Sequence, residues 1–506
     1  MNEKQYEELC KLTDEVLQVP DATPVRVAIP WLHIIREHPV FLVDYEGLFT
    51  QDNKFIYLVR TWRRSICNKL GLIRVLLISV ILSDMLRWSE VVDKLACIDI
   101  LFISHLMNRS QFNDKDDLYY SDLPQKLKQD GYIPLTVMLN HTKVLSTSLY
   151  DRQNSEKLQK VVFPKNLGFF YELKNIRRLW MESRSLKKSA RLERHDLKKK
   201  ILFQAAREAL SPSSLHAMRL ETLVRTLVEK TRTKVLIATH EGHAWERLAF
   251  YSARQANPVI KCIGYMQAPL FQRQHAVKRN LGKDYNPDMI FTSGPIQKKQ
   301  LDSSLPKKIP VNVLGSRRCF DKKAMSHYSR NELSMKNDIQ KACLVIPEGI
   351  ESEIHLLFEF SLKCAWQYPH VNFIWRLHPL FSFEVLTARN RTYRSVPGNI
   401  ELSDRELDID LNRCNWVLYR GSSAVIQAVV AGLRPIYLHV PGQMRIDPLY
   451  ELDEWKIEIE TTKDFMSVLR GSACDGGRHY LKARDYCLKT YVPFDYSTII
   501  NTLSRN

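Results

Sequence analysis

Residues 414–440 read CNWVLYRGSSAVIQAVVAGLRPIYLHV. Trp416 to Tyr419 is a short apolar run of the kind that forms a buried strand. It stops at Arg420-Gly421. Ser422 and Ser423 then open a helix that Gly432 closes, because Ser favours helix starts and Gly favours helix ends. A second apolar run, Arg434 to Val440, follows at once. Strand, turn, helix, turn and strand in that order build a parallel sheet. The Gly421-Ser422-Ser423 junction lies where such sheets bind ligands, at a strand's carboxyl end. Gly421 admits close backbone approach, the helix start offers N–H groups, the serines add hydroxyl donors and Arg420 adds charge. A phosphate fits that set. An N-cap on an ordinary helix is the plain alternative.

The same alternation runs through two stretches. Strands are expected at Ile98–Ser104, Tyr132–Asn140, Lys234–Ala238, Val259–Tyr265, Asp288–Thr292 and Val311–Leu314. A second set starts at Ala342–Ile346, continues at Val371–Arg376 and ends in the Gly421 unit. Between the sets, Arg317–Lys341 is polar and patternless and reads as a boundary. Upstream, Val25–Ile29 and Val40–Val43 read as strands, and residues 55–95 as mostly helical. Leu411–Asn415 reads as a short helix. The tail from about Tyr480 reads as helical, then irregular. The predicted organisation is α/β: residues 1–316 as a first parallel-sheet domain with helical insertions, 317–480 as a second, and 481–506 as a tail packing back on the first. The cleft between the two is the expected site.

Composition narrows the partners. Lys and Arg outnumber Asp and Glu to give a net charge of +18, so an acidic partner is expected. Ten scattered cysteines form no Cys-x-x-Cys pair, which predicts reduced thiols and no zinc site. The polar, charged N-terminus predicts no signal peptide and a cytoplasmic protein. Leu70–Leu82 is shorter than the ~20 residues of a membrane span and carries Arg74. Residues 174–210 are dense in base, including Lys174, Arg177, Arg184, Lys187, Lys188 and Arg191. A solvated helical face explains this run; contact with an anionic membrane surface explains it too. No P-loop and no Gly-x-Gly-x-x-Gly occurs, so ATP hydrolysis and dinucleotide binding find no support.

Three strand ends carry candidate chemistry. His378-Pro379 closes a strand in the Gly421 domain, where the proline fixes the turn and the imidazole can serve a phosphate. A second His-Pro, His38-Pro39, precedes an expected strand and is set aside. His240-Glu241-Gly242-His243 follows a strand end in the first half. Glu241 is a candidate general base, oriented by His240 or His243. The spacing fails the His-Glu-x-x-His zinc pattern. Glu246, one turn on, fits a cap or an ion pair better than catalysis. Glu348-Gly349 ends the first strand of the second set, suited to a ribose hydroxyl. Arg376, at the end of its strand, is a candidate nucleotide or phosphate ligand with Gly349 and Pro379, and Gln267, past another strand, is an acceptor-side or supporting candidate with His240, His243 and Glu246. Asp114-Lys115-Asp116 and Asp408-Ile409-Asp410 read as loop and helix cap, so no metal is assigned.

An acidic-Gly motif in the first half, then His-Pro, then Gly-Ser-Ser, resembles bacterial GT-B glycosyltransferases of surface-carbohydrate synthesis. The pattern is most similar to sialyl- and polysialyltransferases, and the Kdo and CDP-glycerol polymer transferases share its layout. The resemblance spans roughly residues 95–445, and its motifs are short. It implies two Rossmann-like domains facing a central cleft, with Glu241 as base, His378 on the donor phosphate and Ser422 and Ser423 as phosphate ligands. Where that family has two acidic residues before the Gly, this chain has His240 then Glu241. The implied activity is inverting, metal-independent sugar transfer from a nucleotide-sugar donor, CMP-linked by the closest pattern, to a surface polysaccharide or lipid-linked acceptor. The basic residues of 174–200, and of 60–69, add an expected setting, peripheral attachment at the inner face of the cytoplasmic membrane. A CDP-polyol phosphate transferase of the same fold is the alternative. A nucleic-acid-binding protein or an inactive scaffold also accommodates the charge and fold; the chain has no recognisable nucleic-acid motif, so no nucleic-acid partner is expected.

Overall fold

The computed structural model describes the chain except residues 19–20, 50–53, 82–83, 96, 143, 147–148, 150–159, 306–308, 321–341, 380, 472–475 and 504–506. Most of the expected boundary at 317–341 therefore lies outside the described residues. Seven strands precede it: β1 Ile100–Leu106, β2 Pro134–Asn140, β3 Lys160–Val162, β4 Val235–Thr239, β5 Lys261–Met266, β6 Met289–Thr292 and β7 Val311–Val313. They form one parallel sheet in the order β3-β2-β1-β4-β5-β6-β7. Six strands follow it: β8 Ala342–Ile346, β9 Asn372–Arg376, β10 Ile400–Ser403, β11 Trp416–Tyr419, β12 Arg434–Leu438 and β13 Ile457–Ile459. These also run parallel, in the order β10-β9-β8-β11-β12-β13.

Both sheets thus have the doubly wound Rossmann order, and each reverses direction once, between β1 and β4 and between β8 and β11. The strands are apolar throughout because both faces are covered; every residue of β4 and of β8 is buried. On the first sheet, Leu223 and Leu227 of the helix Pro212–Thr231 and Phe250 of the helix Ala244–Ala256 cover one face. Tyr120, Leu123 and Ile499 cover the other. On the second, Ile354, Leu357 and Phe358 of the helix Glu351–Gln367 lie on one face, and Val425, Ile426 and Cys487 on the other. This is the GT-B architecture, two Rossmann-like domains with their strand ends turned to a shared cleft.

A helical layer flanks the cleft. The N-terminal helix Glu3–Gln18 shares a core with the helices Phe169–Leu192 and Asp196–Glu208, through Leu9, Val16, Leu186 and Ile201 among others. The two N-terminal strands expected from sequence are absent. Val25–Ile29 falls on a short helix, Pro24–Val27, whose Arg26 N–H is capped by Thr23 at 3.2 Å. Val40–Val43 falls inside the helix Pro39–Glu46, started by the His38 ring, which accepts the Val40 N–H at 3.1 Å. Both apolar runs were too short for periodicity to separate helix from strand, and a proline at the first helical position decided the outcome.

Other differences are smaller. The helix expected at Leu411–Asn415 lies one turn earlier, at Leu407–Leu411. The helix expected from Ser422 begins only at Val425 and ends at Val430, with neither serine hydroxyl capping it. Instead the Ser422 and Ser423 carbonyls accept the Val425 and Ile426 N–H groups in a tight turn. The tail carries two helices, Gly476–Thr490 and Tyr496–Leu503, where an irregular end was expected. Val492 bonds to Ser293 and Ser316, and Asp495 to Leu314, so the last residues lie on the first sheet.

Candidate active site

β4 delivers its carboxyl end to the cleft through the loop His240–His243. Glu246, buried on the first turn of the following helix, accepts the N–H groups of Glu241, Gly242 and His243 at 2.9, 2.7 and 2.9 Å. Gly242 has φ +90°, and a Cβ there would lie 2.6 Å from that of Ala276, so only glycine fits the turn. His240 is fully buried behind the loop, its Nδ1 3.2 Å from Glu246. The loop is therefore rigid, and it turns Glu241 and His243 outward. Their side chains are about one third exposed or more (34% and 42%), with His243 Nε2 3.7 Å from Glu241 Oε2.

The pair shifts both groups. Burial pushes the Glu241 carboxyl up, but the His243 hydrogen bond and charge, with Arg36 and His105, bring it below its ordinary value. Burial pushes His243 down, but its bond to Glu241 and the charges of Glu246 and Glu241 raise it overall. Each favours the charged form of the other. Beside them, at the end of β1, His105 contacts His141 at 2.8 Å and Thr239 at 3.0 Å. Burial, then the charge of His141, pushes His105 down to about 4.

The second domain contributes three adjacent strand ends. Glu348-Gly349 follows β8, His378-Pro379 follows β9 and Gly421-Ser422-Ser423 follows β11. They interlock. A Cβ on Gly421 would lie 2.7 Å from the Glu348 carboxyl carbon, and one on Gly349 would lie 2.9 Å from His378 Nδ1. Burial, followed by the charge of Arg318, holds His378 below its ordinary value. Arg318 donates to Ser423 Oγ at 3.3 Å and to the Tyr491 hydroxyl at 3.4 Å.

One segment ties the halves together. Arg36 reaches both Glu348 oxygens at 3.2–3.3 Å, and His38 Nε2 lies 2.5 Å from Oε1 of the same carboxylate. The Arg36 guanidinium also sits 4.4 Å from the Phe271 ring centroid. Burial raises the Glu348 carboxyl, but its bond to His38 and the charge of Arg36 bring it below the ordinary value. The carboxylate that the sequence assigns to a ribose hydroxyl is thus engaged between the domains.

A cleft of about 950 Å³ unites these groups. Glu241, His243, Glu348, Gly349, His378 and Pro379 line it together with Gly421, Ser422 and Ser423. Arg420 does not join them. Its side chain is 1% exposed and bonds to Glu353 and Gln443, each at 2.6 Å, so it braces the loop from behind instead of facing a ligand. Arg376 pairs with buried Asp410 at 3.1 Å, away from the cleft lining. His240 and Glu246 serve the loop from inside. Gln267 is outside the lining, whereas the next residues, Ala268 and Pro269, are in it. Of the two Asp-x-Asp pairs, Asp410 is taken by Arg376 and Ser403, and the Asp114 carbonyl accepts from Lys160. Among the described residues no group of three or more metal-ligating side chains occurs.

Arg36, His38 and Arg318 escaped the sequence reading. His38-Pro39 was the available signal: a histidine before a proline is a helix start as readily as a strand approach. Arg318 follows Gly315-Ser316 past β7, in the interdomain connection, where no periodicity marks it.

Glu246→Ala is expected to lower the melting temperature steeply, by a loss of about 3 kcal/mol or more, because the buried Gly242 N–H, the part-buried N–H groups of Glu241 and His243, and the buried His240 ring lose their partner. Burial raises the Glu246 carboxyl, but its bond to His240 and the charges of His240 and His243 depress it overall. Its contribution is therefore present above the ordinary carboxylate range and is lost as pH falls through the depressed value. Thermal melts between pH 7 and pH 3, wild type against variant, read both effects.

No family model matches the chain. No curated protein matches it. Solved structures do. The UDP-GlcNAc 2-epimerase of Neisseria meningitidis bound to UDP-GlcNAc aligns with a TM-score of 0.44 at 12% identity, over 81% of this chain and 100% of that one. Acinetobacter baumannii MurG aligns at 0.46 and 9% identity over 81% and 100%. The spinosyn rhamnosyltransferase SpnG aligns at 0.42 and 12% identity over the same shares.

Proposed function

We propose that the protein is a GT-B glycosyltransferase that moves a sugar, with inversion, from a nucleotide-activated donor to an acceptor hydroxyl. One observation carries this reading: a single cleft is lined by the Glu241–His243 pair of one domain and by Ser422, Ser423, His378 and Arg318 on the donor side. Glu241 takes the proton of the acceptor hydroxyl. The freed oxygen attacks the anomeric carbon, and the bond from that carbon to the donor phosphate oxygen breaks. The electron pair stays on the departing phosphate, where Arg318, the two serines and His378 receive the charge. Protein groups meet that charge, so the proposal assigns no metal and no further cofactor. A CMP-linked sialic-acid-like or Kdo-like sugar follows from the motif resemblance. The proposed setting is the cytoplasmic face of a membrane, on a growing glycan or its lipid-linked form.

A thermal-shift panel of CMP, CDP, UDP and GDP tests the donor assignment. CMP is expected to stabilise the wild type most. Replacing Ser422 and Ser423 together by Ala is expected to remove much of that shift, since each donor to a charged group contributes ~1.5–3 kcal/mol. A response to CDP alone supports the polyol-phosphate alternative. No response to any of the four removes the transferase reading.

A further inference from the structure

The helix Lys54–Ile81 packs against the helix Phe169–Leu192 and leaves a groove of about 650 Å³ between them. Leu72, Ile73, Leu76, Ile176, Trp180 and Leu210 make its floor apolar. Lys69, Arg184, Lys187, Lys188 and Arg191 make its rim cationic, and no carboxylate lines it. The Arg184 guanidinium lies 4.0 Å from the Trp180 ring centroid, which holds its charge over the groove edge. Among the described residues none of the five rim cations forms an ion pair.

The groove adjoins the active cleft. Arg64 and Asn68 line the cleft, and Leu72 and Leu76 of the same helix line the groove. Residues four apart share a helix face, so these four form one track. It runs ~18 Å from Arg64 to Leu76 at ~1.5 Å per residue. Leu210 and Ser211 make the same join on the facing side, the first in the groove and the second in the cleft. Apolar side chains continue outward from the groove at helical spacing. Trp62, Leu70, Ile73, Leu77 and Ile81 are exposed on one helix, and Phe170 and Met181 on the other. An exposed apolar face of this extent beside clustered cations is built to meet an anionic amphiphile.

We propose that this groove holds the lipid end of the acceptor. The occupant is a single anionic amphiphile: its hydrocarbon chain lies on Leu72, Leu76 and Trp180, its phosphate sits among Arg184, Lys187 and Arg191, and its hydroxyl-bearing head passes Arg64 and Asn68 to Glu241. The assignment rests on the transferase reading and names its acceptor class.

Fluorescent dodecyl phosphate, kept below its micelle concentration, is the probe, titrated into full-length protein. Two variants at exposed positions separate the features: Ile73→Asp with Trp180→Asp for the floor, and Arg184→Glu with Lys187→Glu for the rim. Each is expected to weaken binding at least ~10-fold while leaving the melting temperature and the nucleotide shift of the wild type intact. Dodecyl alcohol is expected to bind less well than the phosphate, and inorganic phosphate not at all. Equal binding of alcohol and phosphate overturns the proposal, because the rim then reads no charge. Binding only to vesicles of anionic phospholipid, with none to the monomeric probe, also overturns it and makes the face a bilayer contact. If the probe binds as expected but no nucleotide shifts the protein, the groove stands and the transferase reading fails.

Discussion

Glu241→Gln is expected to reduce sugar transfer by ~100- to 10,000-fold and to leave nucleotide affinity nearly unchanged. The loop that presents Glu241 is held by its own backbone N–H groups on Glu246, not by the Glu241 side chain. The amide therefore keeps the fold and removes only the proton acceptor. The pH profile of kcat/KM then decides which member of the pair is the base. A base acts deprotonated, so activity falls as pH drops through its pKa. With Glu241 depressed below its ordinary 4.5, its acid limb lies below that value and the rate is flat at neutral pH. With His243 raised above its ordinary 6.5, a histidine base puts the limb above that value. An acid limb above 6.5 together with an active Glu241→Gln variant would transfer the role to His243. His240 is sealed behind the loop and Glu348 is engaged by Arg36 and His38, so neither competes.

Arg318→Ala is expected to weaken nucleotide binding by ~10- to 150-fold, the equivalent of ~1.5–3 kcal/mol for a charged hydrogen bond. Among the arginines lining the cleft, Arg318 is one that donates to Ser423, and the helix beyond the serines is too short, at Val425–Val430, to contribute much of a dipole. Arg420→Ala makes the contrast. It strips Glu353 of a buried partner, so its effect appears as a fall in melting temperature at unchanged affinity per folded molecule. Calorimetric titration with the nucleotide chosen by the panel, beside thermal melts, separates the two arginines. Equal affinity loss in both would remove the special place given to Arg318.

The two sheets were legible because parallel strands buried on both faces leave dense apolar runs. Val235–Thr239, Ala342–Ile346 and Trp416–Tyr419 each stand out in that way. Three of the four edge strands, β3, β10 and β13, did not, whereas the fourth, β7, was expected at Val311–Leu314. Ile400–Ser403 is buried only at its two end residues and lies at the rim of its sheet, and Lys160–Val162 spans three residues. The strand-end motifs were legible for the same reason as the strands, since a residue next to a visible strand end inherits its position. Side-chain direction was not. Arg420 precedes Gly421 in sequence yet points into the core, and Arg376 turns to Asp410. The interdomain partners were least legible, because His38 and Glu348 are joined by tertiary packing across some three hundred residues of sequence.

The last described helix carries a consequence for synthesis. Ile499 sits in the same apolar cluster as Ile100, Phe102, Val235 and Phe291, and the backbone at Val492 and Asp495 bonds to the ends of β6 and β7. On the ribosome, the first sheet thus emerges long before the residues that finish its outer face. Until the helix Tyr496–Leu503 has emerged, the nascent first domain exposes that apolar face and depends on shielding. A stop codon placed before Tyr496, though downstream of every strand of the second sheet, is therefore expected to yield chains that aggregate through the first.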